Sequence, residues 1–146
     1  MTVAIRVLRA GDEAVLANVA DEVFDNPIDP EMTAEFLADP RHHFAVAVDD
    51  GLVVGFASGV HYVHPDKRPE LWINEVGVAP THHRQGLAKA VMNALLDVGR
   101  ARGCGEAWVL TDTGNAAARA LYTSLGGTEG ADDGPADQTL GYSFEL

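Results

Sequence analysis

Apolar positions alternate with polar ones at the start of the chain and then recur at helical spacing. Residues 3–7 (VAIRV) alternate, which predicts a first strand. Residues 11–24 carry valines and a leucine three and four positions apart, which predicts a helix. The prolines and aspartates of residues 25–30 end that helix, and a second short helix is expected over residues 31–38.

The middle of the chain predicts a β-hairpin followed by a central strand. Residues 43–48 (HFAVAV) and 52–62 (LVVGFASGVHY) are apolar runs joined by Asp49-Asp50-Gly51. Asp-Gly between such runs is a strong hairpin signal. Residues 71–78 (LWINEVGV) are apolar on both faces, so we expect this strand to lie inside the sheet.

Helices and strands alternate in the second half of the chain. Helical spacing of apolar residues predicts a helix from about residue 86 to about residue 102, and residues 107–110 (AWVL) predict the next strand. A further helix is expected over residues 115–125, closed by a Gly-Gly pair, with a last strand over residues 140–146. This order predicts one mixed α/β (α+β) domain over residues 1–146, with hairpins before strand-helix-strand crossovers.

Composition narrows the class of partner. Ten Lys and Arg against 22 Asp and Glu give a formal net charge of −12, which disfavours nucleic acid and anionic membranes and favours cationic partners. The alternative is that this charge serves solubility alone. No apolar stretch is long enough to span a bilayer and the N-terminus lacks a signal-peptide layout, so we expect a cytoplasmic protein. Cys104 is the one cysteine and the six histidines are not spaced as ligands, so no metal is expected.

A dense polar cluster, HHRQG at residues 82–86, stands directly before the longest predicted helix. The first N–H groups of a helix have no partner within it, and the helix dipole is positive there. Gly86 and Ala88 are small enough for a ligand to approach the backbone, while Arg84 adds a cation and Gln85 an amide. Such a site suits a phosphate or pyrophosphate. The alternative is an ordinary helix start, because the dinucleotide-binding and Walker glycine patterns are both missing.

A second polar pair lies on the last predicted helix. Asn115 and Tyr122 are two helical turns apart and therefore share a face. Asn115 also stands where an N-cap is expected, which alone would stabilise the helix by on the order of 1 kcal/mol. Tyr122 is either a core tyrosine whose hydroxyl bonds to backbone or a proton donor at a site.

These stretches resemble the motifs of a known enzyme family. HRQGLA at residues 83–88 resembles the acyl-CoA-binding motif Q/R-x-x-G-x-G/A of the GNAT acetyltransferases, with His83 where the family prefers Gln or Arg. NAAARALYTSLG at residues 115–126 resembles the family's N-x-x-A-x-x-L-Y-x-x-x-G helix. The resemblance implies the GNAT fold, a mostly antiparallel mixed sheet of six to seven strands flanked by about four helices, with acetyl-CoA as cofactor. The residues that it assigns to the cofactor are Val76, Gly77, Val78, His83, Arg84, Gln85, Gly86, Leu87, Ala88, Lys89, Asn115 and Ala118.

The resemblance also implies direct acetyl transfer from a thioester to an amine. The amine must lose a proton, the oxyanion must be stabilised and the departing thiolate must be protonated. Glu75, just before the cofactor motif, is the expected base, and we expect it partly buried; a solvent-facing Glu near a strand end is the alternative. Tyr122 is the expected acid, and the backbone N–H near Val76 is the expected oxyanion donor. Because no nucleophile is placed, we expect sequential transfer without a covalent enzyme intermediate.

Within the family, the chain looks most like the short aminoglycoside 3-N-acetyltransferases of type I. The likeness lies in its size, in PDKRPELWI at residues 65–73, in Glu75 and in ARALYTSLG at residues 118–126. The acidic composition suits an acceptor with several ammonium groups. The candidate acceptor-binding residues are Asp25, Asp29, Asn74, Asp112 and Glu145, with further aspartates at positions 132, 133 and 137.

Other functions remain open on the same residues. The acceptor is alternatively a polyamine, an amino acid or a protein amino group, and each carboxylate is alternatively a solvated surface group. A module that binds acyl-CoA as a sensor without turnover is a second class. A structural partner that pairs its last strand between subunits is a third, and we expect a homodimer in any case.

Overall fold

The computed structural model describes residues 3–130 and 139–146. Its strands are β1 (Val3–Val7), β2 (His42–Asp49), β3 (Leu52–Tyr62), β4 (Glu70–Val78), β5 (Glu106–Asp112), β6 (Thr128–Glu129) and β7 (Thr139–Glu145). Its α-helices are α1 (Pro30–Ala38), α2 (Leu87–Ala101) and α3 (Ala116–Ser124), with short 3₁₀ helices at Glu13–Ala17 and Pro80–His82. None of the helices in the described ranges is both long and apolar enough to cross a membrane.

The strands form one seven-stranded sheet in the order β1-β2-β3-β4-β5-β7-β6. Only β4 and β5 pair in parallel, as expected for strands joined by a helical crossover. The β2–β3 turn has Asp50 at φ 50° and Gly51 at φ 80°, the two left-handed residues that a tight hairpin turn requires. The mixed, mostly antiparallel sheet, its central β4 and the hairpin are therefore confirmed.

The two faces of the sheet carry different helices. Leu95 of α2 lies against Gly59, and Gly99 of α2 lies against Leu71, so α2 covers the face that these β3 and β4 residues share. On the other face, Phe36 of α1 meets Phe44 edge-on at a centroid distance of 5.6 Å. We call these the α2 face and the α1 face. The core lies on both sides of β2, β3 and β4.

The helix predicted over residues 11–24 is wrong. Only Glu13–Ala17 is helical, as a 3₁₀ turn, and Val19 then forms a parallel bridge with Val53 of β3. The Ala20 N–H donates to Val53 O (2.9 Å), while the Val53 N–H donates to Asn18 O (2.9 Å). These long-range bonds replace the intrahelical ones, because packing on the sheet satisfies the same apolar positions without a helix. The expected four helices are three, and the short β6 was not predicted.

Two departures from regular pairing shape the centre of the sheet. β4 and β5 pair only from Glu70–Glu106 to Trp72–Trp108, so the strands separate beyond that point. In the β3–β4 ladder, Ser58 faces Glu75 while Gly59 faces Ile73, which leaves Asn74 as the extra residue of a β-bulge. Both departures fall at the same level of β4.

Candidate active site

A cavity of about 570 Å³ opens where β4 and β5 separate. Because a strand pair that stops mid-strand exposes backbone on both strands, this is the natural entry point for a ligand between them. The cavity is lined by Val23, Asp25, Phe56, Asn74, Glu75, Val76, Val109, Leu110, Asp112, Asn115 and Tyr122. Seven of these, Asp25, Asn74, Glu75, Val76, Asp112, Asn115 and Tyr122, were predicted as site residues from the sequence.

Glu75 reaches this cavity from the α1 face. Its β3 partner is Ser58, one residue from Gly59 of the α2 face, and side chains alternate along a strand, so Glu75 points away from α2. The bulge places Asn74 beside it, and both side chains are exposed within the cavity wall. The partial burial expected for Glu75 is wrong, because the separation of β5 removes the neighbouring strand that would have covered it.

Tyr122 reaches the same cavity from the α2 face. Its ring contacts Tyr142 at a centroid distance of 5.3 Å, and Tyr142 is paired with Val109 of β5. Val109 lies two residues from Ala107, which is paired with Leu71 of the α2 face, so these side chains share that face. Only 6% of Tyr122 is exposed. Burial, with a smaller contribution from Tyr142, raises the pKa of the Tyr122 phenol above its usual range. The hydroxyl therefore stays protonated near neutral pH and is able to donate.

The charged side chains of the cavity are all carboxylates: Asp25, Glu75 and Asp112. Among its described lining residues there is no Lys, Arg or His to neutralise them. Asp25 also borders a neighbouring cavity of about 760 Å³, lined by Glu13, Asp21 and Glu22 together with apolar residues of the segment that precedes α1. The two adjoining cavities therefore share the Asp25 carboxylate, and both are lined by further acidic side chains.

Two predicted acceptor residues lie elsewhere. Asp29 is the N-cap of α1, where its side chain accepts a hydrogen bond from the Met32 N–H at 2.9 Å. Glu145 is paired with Glu106, at the opposite end of β5 from Asp112. Neither is among the residues that line the two cavities. The aspartates at positions 132, 133 and 137 lie outside the described residues.

The β4–α2 loop (residues 79–86) leads to an open helix N-terminus. Gly86 is the N-cap of α2 at φ 73°, with no side chain capping the helix. A Cβ built on Gly86 would meet nothing within 4 Å, so there is open space beside the backbone where α2 begins. Arg84, also left-handed at φ 63°, stands two residues before it. The fifteen-residue α2 thus offers uncapped N–H groups and a cation, which fits a pyrophosphate.

Both histidines of this loop act as internal anchors. His82 Nε2 lies 2.7 Å from Asp49 Oδ2, and His82 Nδ1 lies 2.8 Å from Thr81 Oγ1. His83 Nε2 lies 3.0 Å from Val78 O, the last carbonyl of β4. The side chain at the motif position where the family prefers Gln or Arg therefore ties the loop to its own strand.

The other residues assigned to the cofactor divide into surface and packing positions. Gln85 and Lys89 are exposed, whereas Leu87 is buried and Ala88 half-buried at the start of α2. Asn115 accepts a hydrogen bond from the Ala118 N–H at 3.0 Å, so the predicted N-cap is confirmed. The described residues contain no group of three or more His, Cys, Asp or Glu placed to hold a metal ion.

Sequence reasoning missed the residues that enter the site from distant segments. Val23 and Phe56 line the cavity, and the Val23 carbonyl packs so closely on Gly77 that a Cβ there would lie 2.7 Å away. The sequence indicates Asp49 only as part of a hairpin turn, although it anchors a loop more than thirty residues away in the chain. The glycine at position 77, between the valines near the end of β4, is a local signal of a close backbone approach.

Comparison with known proteins assigns this arrangement to a family. The family model described as acetyltransferase (GNAT) family matches residues 14–126. The N-alpha-acetyltransferase RimI of Mycobacterium tuberculosis is 30% identical over 126 residues, which is 85% of this chain and 77% of that protein. An aminoglycoside acetyltransferase from an uncultured soil metagenomic sample is 25% identical, with a TM-score of 0.75, over 92% of this chain and 97% of that one. An acetyltransferase of Salmonella typhimurium, solved with its cofactor acetyl-CoA, shares the fold at 22% identity, with a TM-score of 0.72 over 99% and 94% of the two chains.

Proposed function

The chain belongs to the acetyltransferase (GNAT) family and uses acetyl-CoA, and we propose that its acceptor is a primary amine of a polycationic small molecule such as an aminoglycoside. One observation carries this proposal: the cavity presents Asp25, Glu75 and Asp112, with no described cationic side chain among its lining. Carboxylates in a partly enclosed site attract and orient ammonium groups, and a single amine needs only one of them. The adjoining acidic cavity also favours a cationic acceptor.

Glu75 is the proposed general base. Its exposed carboxylate lines the cavity from the α1 face, where it accepts the proton that the ammonium form of the acceptor must lose. The neutral amine then attacks the thioester carbonyl, and its lone pair forms the new C–N bond. The backbone N–H near Val76 lies on the β4 edge that β5 leaves unpaired, so we assign it to the developing oxyanion.

Tyr122 is the proposed general acid. As the carbon–sulfur bond breaks, its hydroxyl donates a proton to the departing thiolate, and the thiol leaves as free coenzyme A. The second proton that the newly bonded nitrogen loses restores the phenol, while the first remains on Glu75 until it passes to solvent. The raised pKa of the buried phenol supports this role, because the proton is retained until a thiolate is near. The acid and the base enter from opposite faces, which supports direct transfer between two substrates that approach from opposite sides of the sheet.

A protein amino terminus is the second candidate acceptor. It is favoured by the 30% identity to an N-alpha-acetyltransferase across most of the chain. A peptide acceptor presents one amine on an extended backbone, so its turnover would depend little on Asp25 and Asp112.

A thiol-release assay with acetyl-CoA separates these functions. The acceptors are sisomicin, spermidine, glycine amide and an alanine-initiated peptide. We expect the highest kcat/KM with sisomicin. Asp25→Asn and Asp112→Asn should each raise KM for sisomicin by about three- to tenfold. Glu35→Gln, an exposed change on α1 outside the cavity lining, is the matched control.

The possible outcomes exclude one another. Turnover confined to the peptide would overturn the polycationic acceptor. Tight acetyl-CoA binding without thiol release from any amine would indicate a sensor. A ping-pong pattern in initial-rate kinetics would refute direct transfer.

A further inference from the structure

A second groove lies on the α1 face of the sheet, below the point where β4 and β5 separate. It has a volume of about 460 Å³, and its lining includes Tyr62, Glu70, Glu106, Trp108 and Ser143. Trp72 packs on Trp108 at a ring-centroid distance of 3.9 Å, so one of the two tryptophans lines the groove and the other contacts it. We call it the tryptophan groove. Both indoles are partly exposed, although tryptophan is mostly buried in folded proteins.

The tryptophan groove and the acceptor cavity follow one another along β5. Side chains two residues apart share a face of a strand, so Glu106, Trp108, Leu110 and Asp112 form one row on the α1 face. Leu110 and Asp112 line the cavity, whereas Glu106 and Trp108 line the groove. Leu110, between them, is 46% exposed, and at about 3.3 Å per residue Asp112 and Trp108 are about 13 Å apart.

The groove is a prearranged surface. Trp108 Nε1 donates a hydrogen bond to Tyr62 Oη at 2.5 Å, which fixes the plane of the indole. His64 Nε2 lies 2.7 Å from Glu70 Oε2 and holds the carboxylate at the groove wall. Hydrogen bonds that fix ring and carboxylate orientation reduce the entropy lost when a ligand binds.

The chemistry of the groove selects a cation. The face of an indole attracts a positive charge placed over it, and a carboxylate beside the ring strengthens that attraction. Glu70 is bonded to His64, and Glu129 at the far wall is bonded to Arg119. Within the part of the chain that the structure describes, the Glu106 carboxylate has no hydrogen-bond or ion-pair partner, which leaves its charge for a ligand.

We propose that the tryptophan groove is a second subsite, which binds an ammonium group of the acceptor remote from the one that is acetylated. This inference rests on the proposed polycationic acceptor and deepens it, since it adds a minimum span. The acceptor carries two cationic groups about 13 Å apart, one at the cavity and one on the indole face. Molecules with a single amine use the cavity alone.

Tryptophan fluorescence tests the subsite directly, because Trp108 lines the groove and Trp72, the other tryptophan of the chain, packs on Trp108. We expect a saturable change in emission on titration with sisomicin and none with the neutral sugar sucrose. Glu106→Gln should weaken the sisomicin titration about threefold to tenfold, and added salt should weaken it further. Glu35→Gln serves again as the control that removes one exposed charge elsewhere.

Kinetics distinguish the subsite from general damage to the fold. Glu106→Gln and Trp108→Leu should raise KM for sisomicin while leaving kcat, KM for acetyl-CoA and KM for a single-amine acceptor unchanged. An equal KM increase for both acceptor classes, or none for either, overturns the subsite. A lower sedimentation mass of Trp108→Leu would also overturn it, because the groove would then be a contact between subunits.

The fluorescence and thiol-release experiments test separate claims. If sisomicin binds and quenches fluorescence but is never acetylated, the polycationic acceptor fails while the cation-binding groove stands. If sisomicin is acetylated with no fluorescence change, and with no effect of Glu106→Gln, only the subsite fails.

Discussion

The hydrogen bond between His82 and Asp49 makes a sharp prediction about acetyl-CoA binding. It joins the β4–α2 loop to the end of β2, and its two side chains are only 14% and 8% exposed. The loop precedes the uncapped N-terminus of α2, where a pyrophosphate fits. His82→Ala removes this anchor without touching the cavity residues Glu75 and Tyr122. We therefore expect acetyl-CoA binding to weaken while the chemical step is largely preserved.

The size of the effect follows from the burial of the pair. A hydrogen bond to a charged group contributes about 1.5–3 kcal/mol, and more when a buried partner is left unpaired. At 1.4 kcal/mol per factor of ten, this range corresponds to an increase of about 10- to 150-fold in KM for acetyl-CoA. The upper end applies when the loop loses its order in the free enzyme and must regain it on binding.

The assay is initial-rate kinetics at saturating acceptor, with urea unfolding of each variant in parallel. His82→Gln keeps a donor near Asp49 and should restore much of the affinity. Asp49→Ala combined with His82→Ala should be little worse than either change alone, because the two residues act as one unit. His64→Ala is the matched control, since it breaks a 2.7 Å pair with Glu70 that is remote from the loop. An unchanged KM for acetyl-CoA in a less stable His82→Ala would refute the positioning role.

Three further changes probe other parts of the molecule. Tyr122→Phe should lower kcat by at least about 100-fold with KM for acetyl-CoA within twofold, and unchanged turnover would remove Tyr122 from catalysis. Gly77→Ala places a Cβ 2.7 Å from Val23 O and 2.9 Å from the Phe56 ring, so we expect a loss of about 1–3 kcal/mol on urea unfolding, whereas Gly114→Ala meets nothing and should be neutral. Burial and the neighbouring histidine and arginine lower the pKa of His43 to about 4. Between pH 6.5 and pH 4 the imidazole of His43 is protonated in the unfolded chain but not in the folded one. About 3 kcal/mol of the free energy of unfolding that is present above pH 6.5 should therefore be lost towards pH 4. An equal pH dependence in His43→Asn would contradict this.

Local chemistry explains what could be predicted from the sequence. The Asp50-Gly51 hairpin turn, the N-cap at Asn115 and the helix that begins after Gly86 all depend on residues within a few positions of one another. The cofactor motif, the Asn115–Tyr122 pair and the position of Glu75 beside a strand end are equally local, and the structure gathers Glu75, Asn115 and Tyr122 around one cavity. Sequence spacing alone is enough for such features.

Pairing between distant segments determines the features that the sequence did not predict. Residues 11–24 have helical spacing, yet Val19 and Ala20 bond to β3, so that tertiary packing overrides local preference. The bulge at Asn74 and the separation of β4 from β5 arise from partners on other strands. Glu75 was therefore expected to be partly buried, as its apolar neighbours suggest, and is exposed because its neighbouring strand diverges. No spacing rule applied to β4 alone contains that information.

The separation of the two strands also resolves a conflict of charge. An anionic cofactor and the proposed cationic acceptor attract each other in solution, and a site that mixed their binding groups would favour neither. The sheet keeps these groups apart, with the N-terminus of α2 and Tyr122 on one face and the carboxylates of Asp25, Glu75 and Asp112 on the other. Among the described residues, the two sets meet at the cavity between β4 and β5, so with the proposed acceptor the acetyl group is the part that crosses the sheet. A substitution that fills the gap between β4 and β5 should therefore slow acetyl transfer to every acceptor alike. Removing the carboxylate of Asp25 or Asp112 should slow transfer only to polycationic acceptors.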